Sequence, residues 1–426
     1  MSQRVLLVPD SIHWVLGTIA KSIAKANPWM DATIVSGPLL HDVFGDAEAI
    51  AARFDLVHFL CPYASRDWLP TLRSKVPVVT SHHHVTSWDL VRHNLDGDAI
   101  IAGSAEWVHD LETRGADMSR VFRAPYGVDV AQFTPATAAS RDASRSRLGL
   151  SGAGPVIGFF AKRASNDDDR KGTDVFTDAL MMLHQKVPDT AALIVGPGWQ
   201  ELTAKFRDHK LRCAWIPFVD DVKDLPALYH ALDFYWVTSR IEGGPVPLLE
   251  AMSSEVCCLS TNVGLAREVV EHDVNALLLS MNDAGAFAEA TLALWNDPER
   301  RAILGRAARE TMKNEMRSDD TARLVKPAYD RAREVFASRN PVREKPPIAI
   351  DAGDTRRVEM LEDLAWAENL VLYQSQHRAA LKLIGRAWRR NPLSLQPARV
   401  LLRRFLPAPL TRGVVTIKRK LAGAAA

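Results

Sequence analysis

The chain contains two series of six short apolar runs, and helix-like sequence follows them. The first series is Val5–Val8, Ala32–Ser36, Asp55–Leu60, Val76–Ser81, Ala99–Ser104 and Val121–Pro125. The second is Val156–Ala161, Ala191–Gly196, Cys213–Phe218, Phe234–Ser239, Val256–Ser260 and Ala276–Ser280. A strand that is apolar along its whole length, not at alternate positions, has both faces buried. Alternation with helices then predicts two doubly wound α/β domains, each a parallel sheet covered on both sides. The stretch Thr134–Pro155 is rich in Ser, Ala, Gly and Arg and reads as a linker with one short helix. A second break, Ser338–Arg357, precedes a helical tail. The expected organisation is a first domain over 1–135, a linker over 136–152 and a second domain over 153–320. A helix at 321–340 returns to the first domain, and 341–426 is linker plus basic tail.

The totals exclude some classes. Of 426 residues, 47% are apolar and 24% charged, which is ordinary for a soluble globular protein. No apolar run is long enough to span a bilayer. The opening "MSQRVLLVPDS" lacks a charged leader followed by an apolar core, so no signal peptide is expected. Cys61, Cys213, Cys257 and Cys258 form no metal-ligand spacing. They read as reduced thiols of a cytoplasmic protein, Cys257 and Cys258 being buried. The net charge of +2 hides an asymmetry: no acidic residue follows Glu368, while the 49 residues from Arg378 hold 12 Lys or Arg.

Open parallel sheets bind ligands beyond the carboxyl ends of their strands. After Phe234–Ser239 comes "RIEGGPVPLLEAM" (Arg240–Met252). Glu242 falls in the loop, Gly243 and Gly244 allow close backbone approach, and Pro247 suits the start of a helix. Glu250 is expected in that helix's first turn. Two carboxylates beside amide donors suit a ligand rich in hydroxyls. The plainer alternative is that Glu250 complements the helix dipole and Glu242 is solvated. "AKRASNDDDRKGTD" (Ala161–Asp174) follows the second domain's first strand. Lys162, Arg163, Arg170 and Lys171 converge on a helix beginning near Thr173, after Gly172, an arrangement suited to a diphosphate. The acidic run Asp167–Asp169 reads as a solvated loop in preference to a metal site. Of His82, His83 and His84, one can face the cleft, since neighbours on a strand point opposite ways.

Together these segments resemble the retaining nucleotide-sugar glycosyltransferases of family 4, which have the GT-B fold. "EGGPVPLLEAM" is similar to the family's Glu-x7-Glu motif and "RKG" to its phosphate-binding Lys-Gly. "AIIAGSAEWVHDLETRG…APYGVDVAQFTP" resembles the segment that closes the first domain. "DDVKDLPALYHALDFYWVTSR" and "TNVGLAREVVEHDVNALLL" resemble the stretches on either side of the motif. The resemblance implies that Lys171, with Lys162 or Arg163, holds the donor diphosphate. Gly172 belongs to that site. Glu250 would bind the ribose, Glu242 the transferred sugar, and the amides of Gly243, Gly244, Pro245 and Val246 that sugar's hydroxyls. His83 would touch the donor sugar from the first domain, and Val219 would lie near the base. The family's glycine pair after its first strand is missing, leaving only Gly17 in "VPDSIHWVLGTIA" on the acceptor side.

The implied activity is that of a bacterial retaining hexosyltransferase. It would move a sugar from a nucleotide-diphosphate sugar to a saccharide or lipid-linked acceptor in polysaccharide or glycoconjugate biosynthesis. No cofactor and no metal are expected. The alternatives are a nucleotide-sugar epimerase of the same fold and a non-catalytic nucleotide-sugar-binding scaffold. For the tail, Lys382, Arg386, Arg389 and Arg390 are expected on one helical face and Leu381, Ile384 and Trp388 on another. Pro392 and Pro397 are expected to break that helix before a second around Arg399–Phe405. Peripheral attachment to the inner face of an anionic membrane and an appendage packed on the catalytic body are both compatible. No motif points to nucleic acid.

Overall fold

The computed structural model describes residues 2–83, 85, 87–163, 169–219, 221–340, 352–374 and 376–405. Each of the twelve apolar runs overlaps a strand. The first sheet comprises β1 (Gln3–Val8), β2 (Met30–Ile34), β3 (Leu56–Phe59), β4 (Val78–His82), β5 (Ala99–Ala102) and β6 (Val121–Arg123). Its order is β2-β1-β3-β4-β5-β6 and every pairing is parallel. The second sheet comprises β7 (Val156–Phe160), β8 (Ala191–Val195), β9 (Arg212–Ile216), β10 (Phe234–Val237), β11 (Cys257–Thr261) and β12 (Leu277–Leu279). Its order is β12-β11-β10-β7-β8-β9, again parallel throughout.

Burial explains why the inner strands are the apolar ones. Val5 to Val8 and Ala191 to Ile194 have no exposed surface, because helices cover both faces. β9 and β12, at the sheet edges, are only half-buried. Sheet order reverses between β1 and β3 and between β10 and β7. The ends of adjacent strands diverge there and leave a crevice on each sheet.

Three helices frame this arrangement. α1 (Val15–Ala26) follows β1. α2 (Ala105–Thr113) follows β5, and Ser104 Oγ accepts from the Trp107 amide to cap it. α3 (Ala138–Leu148) lies within the expected linker. It opens on a Thr137–Ser140 capping box and ends at Gly149 in the left-handed conformation. Arg141 and Arg145 tie it to Asp233 at 3.0 and 2.7 Å, so this segment is a packed part of the second domain, not a free tether.

The helix Thr173–Lys186, called α4, follows β7, and α5 (Val246–Ser253) follows β10. After the second sheet the chain returns. Val128 N–H donates to Met316 O at 2.8 Å and Ser318 N–H to Val128 O at 2.9 Å. Gly127 permits this crossing, since a Cβ there would stand 2.4 Å from Thr321 Oγ1. α6 (Lys326–Arg339) then buries Ala328, Tyr329 and Ala332 in the core formed by Val5, Leu7 and Leu56.

Residues 348–426, with Leu39–Val43, form a second compact unit. Its described part is helical: α7 (Ala352–Gln374), α8 (His377–Arg390) and α9 (Gln396–Phe405). Asp363, 1% exposed, accepts from Arg386 and Arg390, and Glu359 pairs with Arg390 at 2.9 Å. This divides the basic face expected from the sequence. Arg386 and Arg390 are spent on buried ion pairs, while Lys382 and Arg389 are exposed. Ile384 is buried, but Leu381 and Trp388 are exposed. Pro397 does not break a helix; it is the second residue of α9. Among the described residues no helix is long and apolar enough to cross a membrane.

Candidate active site in the cleft between the two sheets

The two crevices share a cavity of about 590 Å³, ordinary for a small-molecule site. Asp10 after β1 and Cys61 after β3 line one side; Lys162 after β7 and Glu242 after β10 line the other.

The second-domain wall is charged. Lys162, Arg170, Lys171, Glu242 and Glu250 all line it. Lys171 Nζ donates to Glu242 Oε1 at 2.5 Å, and Ser239 Oγ donates to the same oxygen at 2.8 Å. Gly172 sets this pair. It has φ +61°, and a Cβ would stand 2.0 Å from Thr238 O, so no side chain fits. Thr238 Oγ1 contacts Lys171 O and Gly172 O at 3.0 and 2.8 Å, fixing the lysine's backbone.

Glu250 lies in the second turn of α5, not the first, so it is placed poorly to complement the helix dipole. Its Oε2 accepts from Tyr229 Oη at 2.5 Å. Burial pushes its carboxyl up to about 7, and the Tyr229 hydrogen bond pulls the other way. Near neutrality this group exists in both states.

Other expected contacts change. The α4 N-terminus is already occupied: Asp169 accepts from the Thr173 and Asp174 amides at 2.8 and 3.1 Å. Those amides are therefore not offered to a diphosphate, and Asp169 is a helix cap. Asp167 and Asp168 lie outside the described residues. Lys162 lines the cavity and Arg163 does not. Of the four residues expected to present amides, Pro245 has no N–H and Val246 donates to Gly244 O at 2.8 Å. Gly243 and Gly244 remain, with no protein acceptor for their amides among the described residues. Val219 lines the cavity beside Pro217 and Phe218. Among the described residues no group of three or more His, Cys, Asp or Glu side chains is placed to hold a metal.

The first-domain wall is mostly neutral. His83 is buried and lines the cavity. Its Nε2 sits 2.9 Å from Leu60 O, an acceptor, so Nε2 carries the proton. Nδ1 then accepts from Tyr126 Oη. His82 faces away, towards Asp110 at 2.9 Å, and His84 lies outside the described residues. His58 bridges Tyr329 Oη and Ser81 Oγ, each at 2.8 Å, and burial holds its pKa down at about 3. Gly17 does not line the cavity. It serves packing: a Cβ would meet Ser11 O at 2.4 Å, so the loop before α1 folds against the helix. The first-domain carboxylates that do line the cavity are Asp10 and Asp129, which sequence reasoning missed. Burial raises the Asp10 pKa, while the Ser11 amide, its own amide and Lys162 across the cleft lower it.

The two walls are joined below the cavity. Trp107 Nε1–H donates to Glu242 O at 2.9 Å. Ala105 N–H donates to Glu268 Oε1 at 2.6 Å, and Gly264 N–H donates to Glu106 Oε2 at 2.7 Å. Gly244 would bring a Cβ within 2.7 Å of the Tyr126 ring, so its missing side chain admits the opposing domain. None of these partners is near the other in sequence, and no local pattern announces them.

Residues 147–311 match the family model described as Glycosyl transferases group 1. The chain is 33% identical over 224 residues to a D-inositol 3-phosphate glycosyltransferase of Xylanimonas cellulosilytica, covering 50% of this chain and 52% of that one. It is 31% identical over 259 residues to a GDP-mannose-dependent monoacylated α-(1-6)-phosphatidylinositol monomannoside mannosyltransferase of Corynebacterium glutamicum, covering 55% and 65%. These matches thus span between half and two thirds of the relatives' lengths. In fold it is similar to Anabaena HepE, solved with UDP and glucose: TM-score 0.63 and 18% identity, over 77% of this chain and 99% of that one. The second domain is thus similar to the glycosyl transferases group 1 family, in a chain of GT-B fold.

Proposed function

We propose that the chain is a retaining glycosyltransferase that moves a sugar from a nucleoside-diphosphate sugar to a saccharide or lipid-linked acceptor. One observation carries this reading: Lys171 and Glu242 meet at 2.5 Å on a cavity wall that also holds Lys162, Arg170 and Glu250. Breaking a sugar–phosphate bond develops negative charge on the leaving diphosphate and positive charge on the sugar. A wall that places cations beside carboxylates opposes both charges at once. One relative is named as acting on inositol phosphate and another as GDP-mannose-dependent, and HepE holds UDP and glucose; the GDP-mannose and the UDP support a nucleotide-sugar donor here.

In this mechanism Lys171 is released from Glu242 as it meets the diphosphate, joined by Lys162 and Arg170. The charge these cations supply does the work a metal would otherwise do. Glu242 is then free to accept from the sugar's hydroxyls, beside the Gly243 and Gly244 amides. Glu250 faces the ribose, and His83, held through Nε2–H by Leu60 O and through Nδ1 by Tyr126 Oη, borders the sugar from the first domain. Among the described residues the first-domain carboxylates that line the cavity are Asp10 and Asp129. The acceptor hydroxyl attacks on the face that the diphosphate leaves, which retains the anomeric configuration. Its proton passes to the leaving phosphate oxygen.

Incubation with UDP-, GDP- and ADP-sugars, with and without EDTA, tests this. Release of nucleoside diphosphate in the presence of EDTA, with the α-anomer of the transferred sugar seen by NMR, is the expected result. An epimerised sugar on an intact nucleotide, or no turnover of any donor, would overturn it.

A further inference from the structure

We infer, resting on the sugar-transfer reading above, that Trp107 is a positioning residue for the reaction. Its indole, carried by the first domain, holds the loop of Glu242, so that the carboxylate is placed for the sugar only while the two domains are seated on each other. Trp107 does not line the cavity and acts through that loop. The need for an outside anchor follows from the ion pair. Glu242 Oε1 accepts from Lys171 Nζ at 2.5 Å and from Ser239 Oγ at 2.8 Å. When Lys171 turns to a diphosphate, the first of these bonds is given up. That is the moment when the carboxylate must be accurately placed.

The main chain at Glu242 is held separately. Trp107 Nε1–H donates to Glu242 O at 2.9 Å, and the bond lies outside the space a ligand would fill. Ile241, one residue earlier, packs on the first-domain cluster of Ile100, Ala102, Trp107 and Leu111. Gly264 lies against the same carbonyl: it has φ +47°, and a Cβ there would stand 2.5 Å from Glu242 O. Its amide is held in turn by Glu106 Oε2 at 2.7 Å. Glu106 and Trp107 are neighbours in the first turn of α2, so one turn of the first domain grips both second-domain segments. The indole is itself fixed. Ser104 Oγ accepts from the Trp107 amide, and the His82 ring stands edge-on to the indole at 5.5 Å, with its Nε2 tied to Asp110 of the same helix at 2.9 Å.

Donor binding and sugar placement therefore have different supports. Lys162, Arg170 and Lys171 all belong to the second domain and meet the diphosphate there. Glu242 stands in the same domain, but its main chain is fixed by the first. Cleavage of the sugar–phosphate bond thus waits on the seating of the domains, while capture of the diphosphate does not.

The test uses the full chain with UDP-glucose, GDP-mannose and ADP-glucose, and reads release of nucleoside diphosphate with water as the acceptor. Trp107→Phe keeps an aromatic ring and loses the N–H. With the donor that the parent turns over, its kcat is expected to fall about tenfold. The donor KM and the calorimetric Kd of the nucleoside diphosphate are expected to stay within about twofold of the parent's. Its melting temperature is expected to fall by no more than about 4 °C. Glu106→Ala, at a half-buried side chain, frees the Gly264 amide and is expected to show the same split with a kcat loss of about threefold. It serves as the test if Trp107→Phe does not fold. Arg123→Gln cuts the ion pair of Arg123 with Glu268, which crosses between the domains through Glu268 and not through the Glu242 loop, and is expected to keep the parent's kcat. Parent-like kcat in Trp107→Phe, a Kd that rises as far as kcat falls, or an equal loss in Arg123→Gln would each overturn the inference alone. No release by the parent from any of the three donors would overturn the proposed function, and the inference with it.

Discussion

The two walls of the cleft solve different problems. The second-domain wall gathers Lys162, Arg170, Lys171, Glu242 and Glu250 within one cavity and spends burial on charge. Apart from Asp10 and Asp129, the first-domain wall presents neutral groups such as His58, His83 and Tyr126, buried and satisfied by one another or by backbone and hydroxyl partners. A charged wall can be rebuilt around an anionic ligand because its ion pair exchanges partners. A wall of neutral, mutually satisfied groups cannot exchange without leaving a buried polar atom unpaired. The donor side should therefore respond to mutation through binding and chemistry, and the first-domain side through small positional losses.

The largest effect that sharpens this contrast is at Lys171. Lys171→Ala removes a cation from the leaving group and leaves Glu242, 8% exposed in its side chain, without its partner. Turnover should fall about a hundredfold or more, equivalent to roughly 3 kcal/mol. Glu242→Ala should do the same, and wild-type turnover in either variant would break the assignment. Next comes Gly172→Ala. The left-handed backbone and the Thr238 O contact make it costly, by about 2 to 3 kcal/mol of stability, read by chemical denaturation.

Glu250 gives the contrast a pH signature. Its carboxyl is raised to about 7, so the folded state holds the proton that the unfolded chain loses near its ordinary value. Stability contributed by this site is therefore full at low pH, declines as pH rises from about 4.5 and is lost by about 7. Glu250→Gln should cancel that decline, up to roughly 3 kcal/mol, so that its melting temperature gains on the parent at pH 8 but not at pH 4. An equal difference at both pH values would contradict the burial argument. The smallest effect is expected on the other wall. Tyr126→Phe removes the donor to His83 Nδ1 and should cost about 1 kcal/mol and less than tenfold in turnover.

How far the chain could be read in advance follows the same division. The inner strands announce themselves because burial on both faces demands continuous apolar runs such as Val5–Val8. Lys171, Gly172 and Glu242 stand in short contiguous motifs, so local spacing carries them. Tyr229 and Glu250 meet across 21 positions and Trp107 and Glu242 across 135; a partner set only by the fold leaves no mark beside either residue. The helix cap at Asp169 was hidden for another reason. A run of three acids gives no sign of which one turns inward. In the tail, helical spacing placed Lys382, Arg386, Arg389 and Arg390 on one face, but Asp363 and Glu359 draw Arg386 and Arg390 into ion pairs that spacing does not show.

The central claim is that the second-domain wall holds the nucleoside diphosphate. Calorimetric titration of UDP, GDP and ADP into the parent chain, Lys171→Ala and Tyr126→Phe tests it most directly. The nucleotide that binds the parent should lose about tenfold or more in affinity with Lys171→Ala and less than about threefold with Tyr126→Phe. Parent-like affinity in Lys171→Ala, with the larger loss in Tyr126→Phe, would place the diphosphate on the wrong wall and contradict the account.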